Sequence, residues 1–212
     1  MESLDHLYIP DSKVVQDVQQ LIRDCESELL FYHSSRVYHW GALAAQRKNI
    51  KVDHELLYIA CMFHDLGLTQ QYCSCDQRFE VDGANAAADF MKSRSFSQQE
   101  IDKVWTAIAL HTTPGIPEFM AAEIAMVTAG VEMDVLGIKF DQYSQQERDQ
   151  VIQLHPRETG FKEKIIQAFY EGIKNKPEST FGNVKADVIA DKQPEFDAIN
   201  FCSIIRNSKW SS

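Results

Sequence analysis

Glycine and proline are sparse in this chain, nine and six of 212 residues, and strict apolar–polar alternation is nearly absent. A strand-rich fold therefore has little to be built from, and helical periodicity recurs instead. A long hydrophobic run is also missing. The longest, Leu56 to Phe63, falls far short of the ~20 residues a membrane span needs. Positive charge is in deficit, with a net charge of −10, which argues against a nucleic-acid-binding face. It leaves room for a small anionic substrate, because a pocket can be locally positive. The five cysteines, at 25, 61, 73, 75 and 202, are odd in number and scattered. They suit a reducing compartment and no disulfide framework, hence an expected cytoplasmic location. Cys73 and Cys75 form a C-x-C without a second Cys or His pair nearby, so a structural metal there is disfavoured. The first residues lack the basic and apolar blocks of a signal peptide. No repeat or low-complexity segment interrupts the chain, and its length fits one domain over 1–212.

What is present is a series of amphipathic helices. The first is expected to start near Pro10-Asp11, with Val14, Val18, Leu21 and Ile22 on one side. The second, over about 28–47, carries Leu30, His33, Val37, Trp40, Gly41 and Ala44 inward, with Arg36 one turn beyond His33. Its small residues at 41, 42, 44 and 45 permit close packing. A polar loop over 69–78 precedes an alanine-rich helix expected over 84–94, with Asp82 as N-cap. Ser97-Gln98-Gln99-Glu100 is a capping box, and the helix behind it carries Ile101, Val104, Trp105 and Ile108 inward, with His111 on the same stripe. A helix over about 118–134 buries Ile124, Val127 and Val131, and Asp134 continues that spacing. A second capping box opens at Ser144. The residues after 137 read as a helical extension that supports or walls a pocket.

The chain is organised around Leu56 to Gly67. Asp53 is placed to cap this helix, with Glu55 in its first turn. Leu57, Ala60, Cys61 and His64 follow at helical spacing, so an apolar stripe ends in an imidazole. Asp65 comes next, and Gly67 is expected to end the helix in a left-handed turn. Taken singly, His64 reads as a hydrogen-bonded core histidine and Asp65 as a capping residue. Burying the pair costs several kcal/mol unless something compensates it, and imidazole with carboxylate suits zinc, iron or manganese. His33 and Asp134, also on inward stripes, raise the weight of a metal site, since separate helices can project ligands onto one point.

His33, His64-Asp65 and Asp134 together follow the H…HD…D order of the HD-domain metal-dependent hydrolases, and the chain resembles that all-α family over 28–137. Within it, Tyr32-His33-Ser34-Ser35-Arg36-Val37-Tyr38, Phe63-His64-Asp65-Leu66-Gly67, Phe79-Glu80-Val81-Asp82-Gly83, Ala107-Ile108-Ala109-Leu110-His111 and Asp134-Val135-Leu136-Gly137 are similar to segments of the cyanamide hydratase-like branch. The resemblance implies one divalent metal, zinc ahead of iron or manganese, on His33, His64, Asp65 and Asp134. Only His111 lies where two-metal members carry extra histidines. It is therefore expected to act as a pocket acid/base, the alternative being a core histidine. Arg36 would orient Glu80 or Asp65 or bind an anion, which puts Arg36, Glu80 and His111 in the catalytic set.

A metal in such a site would lower the pKa of bound water from ~15.7 toward ~7. Two reactions follow: hydration of a small nitrile such as cyanamide to urea, and hydrolysis of a phosphoester. A non-catalytic scaffold stabilised by metal is the third reading. Few cations stand near the motifs, which favours a neutral small-molecule substrate walled by Phe31, Phe63, Trp105 and Ile108. Lys162 or Lys164 could still supply charge for a phosphoester. A homo-oligomer is compatible with the sequence.

Overall fold

The computed structural model describes residues 8–180, 183–193, 195–196 and 198–211; residues 1–7, on which the signal-peptide reading falls, lie outside them. Among the described residues there are ten α-helices and no strand: α1 Lys13–Cys25, α2 Glu28–Arg47, α3 His54–Phe63, α4 Phe79–Lys92, α5 Gln98–Leu110, α6 Ala122–Val131, α7 Gln145–Leu154, α8 Phe161–Ile173, α9 Val184–Lys192 and α10 Phe201–Asn207. The all-α expectation holds.

Side-chain caps set the helix starts. Ser12 and Ser27 accept from the backbone N–H groups of Val15 and Leu30, and Asp53 accepts from those of Glu55 and Leu56. Both capping boxes form, at Ser97–Glu100 and Ser144–Glu147. These contacts satisfy N–H groups that a helix leaves without internal partners.

Helix α2 lies at the centre, against α6, α3 and α8; α5 packs on α3, α4 and α6. The small residues of α2 let it approach α6 closely. A Cβ on Gly41 would stand 2.6 Å from the Met126 carbonyl oxygen, and one on Gly130 only 2.2 Å from that of Val37. The main core runs from Val15 through α3 to Val131. A smaller cluster joins Trp40, Met133, Tyr143 and Trp210, and another joins Leu30, Phe79, Val135, Phe161 and Ile205. The C-terminal third is thus sewn onto α2 by aromatic and aliphatic burial.

Three local expectations are corrected. Helix α4 begins at Phe79, and Arg78, with no side-chain cap, stands at its N-cap position. Asp82 lies inside the first turn, where its carboxylate accepts from Ser74 N at 3.0 Å and Lys176 Nζ at 2.7 Å. Among the described residues the positive-φ glycines are Gly115, Gly137 and Gly160, and Gly67 is not one of them. Its need for hydrogen is steric, since a Cβ there would lie 2.0 Å from the Phe79 carbonyl oxygen. The helix expected over 118–134 is broken into a 3-10 turn at Pro117–Phe119, α6, and a π turn at Glu132–Leu136. The π turn is held by Trp210, whose Nε1 donates to the Met133 carbonyl at 2.7 Å.

Candidate metal centre

Helix ends bring the site together. His64 is the C-cap of α3 and His111 the C-cap of α5. In each, Nδ1 meets the carbonyl three residues back, Cys61 at 2.6 Å and Ile108 at 2.7 Å. A carbonyl only accepts, so the proton sits on Nδ1 and each Nε2 presents a lone pair. Asp65 follows His64 with φ −103° and ψ 0°, in the bridge region that active-site residues often occupy. Close approach of α4 fixes this turn, a Cβ on Gly83 being 2.8 Å from the Phe63 carbonyl oxygen. His33 comes from the middle of α2, and Asp134 from the π turn.

His33, His64, Asp65, Asp134 and His111 are all buried, and the first three converge. His33 Nε2 is 3.2 Å from His64 Nε2 and 3.5 Å from Asp65 Oδ2, and His64 Nε2 is 3.3 Å from that same oxygen. Ligands ~2.1 Å from a tetrahedral metal stand about 3.4 Å apart, so these three donors fit a divalent ion. His111 Nε2 approaches the other oxygen, Asp65 Oδ1, at 3.6 Å. Neither Asp65 oxygen, nor His111 Nε2, has a hydrogen-bond partner. Buried polar atoms left this way call for an ion or a water, and the donor set suits a transition metal.

Charge at the site agrees. Burial lowers the His33 pKa and outweighs the pull of Asp134, which keeps the imidazole in its neutral, ligating form. At Asp65 burial opposes ionisation, but the facing histidines, His64 first, hold the carboxyl well below the usual range. At His64 burial opposes charge, yet Asp65 and the Cys61 carbonyl raise the pKa overall. The pocket therefore favours a positive charge at its centre.

The other expected residues stand around this triad. Asp134 lies on the far side of His33, with Oδ2 2.7 Å from Nδ1, and is not grouped with the three converging donors. Glu132, two residues earlier, faces the charges of Lys139, Glu118 and Lys48 instead. Arg36 orients neither Glu80 nor Asp65: its Nε and Nη2 donate to Asp134, and its Nη1 donates to the carbonyls of His155 and Pro156. Glu80 is buried and takes hydrogen bonds from Arg78 at 2.7 Å and from Thr112. After the burial cost, Arg78, Thr112 and the nearby His111 leave its pKa lowered. The rings against the imidazoles are Phe161 on His33 and Phe79 on His111. Of the expected wall, Phe63 packs on Phe90 and Trp105 donates to Asn85.

Comparison with protein-family models matches the HD domain over residues 30–157. The chain belongs to the HD domain family. That family is generally one of metal-dependent hydrolases, and the His33–His64–Asp65 cluster is a candidate site for its divalent metal. No curated protein matches the chain. The HD match extends past Gly137 to include Arg157, which reading the motifs alone had missed. Arg157 donates to the Asp134 carbonyl at 2.8 Å and stacks over Phe161, and burial lowers its pKa to about 10. Trp40 was placed inward but not read as a partner of the site; the signal for it is that 33, 36, 37 and 40 share one helical face, and its Nε1 donates to Asp134 at 3.0 Å. Glu26 carried no signal. Both its oxygens are buried without partners, and burial, then the charge of Asp65, raises its pKa well above the usual range.

Proposed function

We propose that this HD domain protein, acting as a single unit, hydrates a small neutral nitrile such as cyanamide, giving urea. The observation that carries this reading is the state of the cations. Among the described residues, Arg36 is spent on Asp134 and two carbonyls, Arg78 on Glu80, Lys162 on the carbonyls of Arg206 and Ser208, and Lys176 on Asp82. Lys164 pairs with Glu158 at the surface. Phosphoryl transfer needs positive groups or a second metal to stabilise its charge. A neutral linear substrate does not. Resemblance of the motif segments to the cyanamide hydratase-like branch points the same way.

His33, His64 and Asp65 would hold one divalent metal, zinc ahead of iron or manganese, which supplies Lewis acidity and activates water when bound. His111 moves the proton. With Nδ1–H committed to the Ile108 carbonyl, its Nε2 lone pair takes a proton from water as the new C–O bond forms. One C–N π bond breaks onto nitrogen as that C–O bond forms, and the same proton then goes to the nitrile nitrogen. Water adds in full and nothing leaves, which gives the isourea tautomer of urea. Glu80 is held in place by Arg78 and Thr112 and carries its charge near His111. Phe79 and Phe161 pack against the histidines and limit water access.

A phosphohydrolase is the second reading, and Arg157 favours it: its Nε and Nη2 lack partners and could meet an anionic group. Metal-loaded protein should be given cyanamide and, separately, a panel of nucleotides and a generic phosphoester. Urea formation that falls about 10²–10⁴-fold in His111→Gln with metal content unchanged supports the hydratase. Phosphate release without urea overturns it.

A further inference from the structure

An ionised carboxylate has about four lone-pair sites on its two oxygens, and in Asp134 all four are taken. Oδ1 accepts from Arg36 Nε at 2.8 Å and Trp40 Nε1 at 3.0 Å. Oδ2 accepts from Arg36 Nη2 at 3.0 Å and faces His33 Nδ1 at 2.7 Å. Arg157 adds its charge 3.4 Å from Oδ1. Because ionised Asp134 can only accept, His33 must donate from Nδ1, which leaves its lone pair on Nε2. That nitrogen is the one facing His64 and Asp65.

We infer that Asp134 is a positioning residue and not a metal ligand: it holds the His33 proton on Nδ1, so that Nε2 is presented to the metal, and Arg36 and Trp40 hold Asp134 in turn. This rests on the metal reading above and departs from the four-ligand set that the motif order implies. A carboxylate behind a ligating histidine fixes its tautomer and ring orientation, and losing it costs about 10–100-fold in metal affinity. The metal then has three protein donors and an open position, the ligand count of catalytic zinc sites and not of closed structural ones. Arg36 belongs to the support of the site and not to substrate binding. It also ties Asp134 to the carbonyls of His155 and Pro156, so the segment after α7 helps set the tautomer of a histidine on α2.

The test is long-range proton–nitrogen NMR on protein labelled with ¹⁵N-histidine, with and without one equivalent of Zn²⁺. In the unsubstituted protein zinc should shift Nε2 of His33 and His64, while the Nδ1 proton of His33 persists. In Asp134→Asn the amide NH₂ can turn toward Nδ1. The His33 proton should then move to Nε2 in the metal-free protein, and zinc affinity should fall about 10–100-fold. Loss of the Nδ1 proton when zinc binds the unsubstituted protein overturns the inference and leaves the metal site standing. So does an Asp134→Asn protein that keeps its Nδ1 proton. Zinc that leaves every imidazole unchanged overturns both. The first measurement needs no variant, so it stands even if Asp134→Asn fails to fold.

Discussion

The surroundings of Asp65 and of Asp134 solve the same problem in opposite ways. Both carboxylates are fully buried and both are held ionised. Around Asp134 the protein supplies the compensation itself, with Arg36, Trp40, His33 and Arg157 all directed at one side chain. Around Asp65 three histidine Nε2 atoms stand at 3.3–3.6 Å, and neither oxygen has a hydrogen bond. One region is complete as folded. The other is complementary to a cation and leaves part of its stabilisation to be supplied by a ligand.

The largest effect should come from breaking the incomplete region. Asp65→Ala should drop metal content from about one per chain to near zero by elemental analysis, since it removes a donor from a three-donor set. Metal retained at wild-type level would erase the distinction between the two carboxylates. Chelation of the native protein should likewise lower stability, by about 4 kcal/mol if free metal had stood at a thousand times Kd.

Next comes the complete region. Arg36→Met strips Asp134 of its main counter-charge and should cost about 3–5 kcal/mol in denaturant unfolding, with metal or without it. Asp65→Asn should cost less in metal-free protein, because its new NH₂ can donate to the facing Nε2 atoms and restore about 1 kcal/mol of what the lost charge contributed. Equal destabilisation by both changes would break the comparison.

A pH series sharpens it. The Asp134 carboxyl lies well below its ordinary value, since Arg36 and Arg157 outweigh the burial cost. Its contribution is therefore whole above about pH 4 and is lost only as the pH falls through the folded value. Acid loss should begin earlier at another site. Burial, then mutual repulsion, lowers His39 to about 3, and burial with the Arg36 charge lowers His155 to about 4. The unfolded chain thus binds more protons below about pH 6.5, and each histidine removes about 1.4 kcal/mol per pH unit down to its folded value. His155→Gln should flatten the metal-free stability curve between pH 6.5 and 4. An unchanged slope there would rule this origin out.

The smallest effect is expected from Glu80→Gln. Its partner Arg78 is 44% exposed, so the pair should be worth about 1 kcal/mol or less. Metal content should stay at the wild-type level, because neither partner belongs to the triad. A loss of metal would place Glu80 within the centre and not beside His111.

Much of the fold was legible because it is local. Ser97–Glu100 and Ser144–Glu147 announce their helices by capping chemistry that needs only neighbours in sequence. The stripe of Ile124, Val127 and Val131 announces α6. The same logic misplaced the start of α4, because Asp82 looks like a cap and is instead bound to Lys176, 94 residues away. It also read Gly67 as a turn former, when the cause is the backbone of Phe79 pressing on it. Of the site, His33, His64, Asp65 and His111 were visible as polar residues ending or interrupting apolar faces. The partners that decide their roles were not, Arg157 and Phe161 above all.

Helical period and residue type were enough to turn the imidazoles and carboxylates inward in an all-helical chain, and the order of those residues carried the resemblance to HD domains. Which of those groups keeps a free lone pair was set by contacts between helices. Asp134 meets His33 across 101 residues and Arg36 across 98. A carboxylate spends its lone pairs on whichever donors reach it, and periodicity along one helix carries no information about which donors another helix will bring.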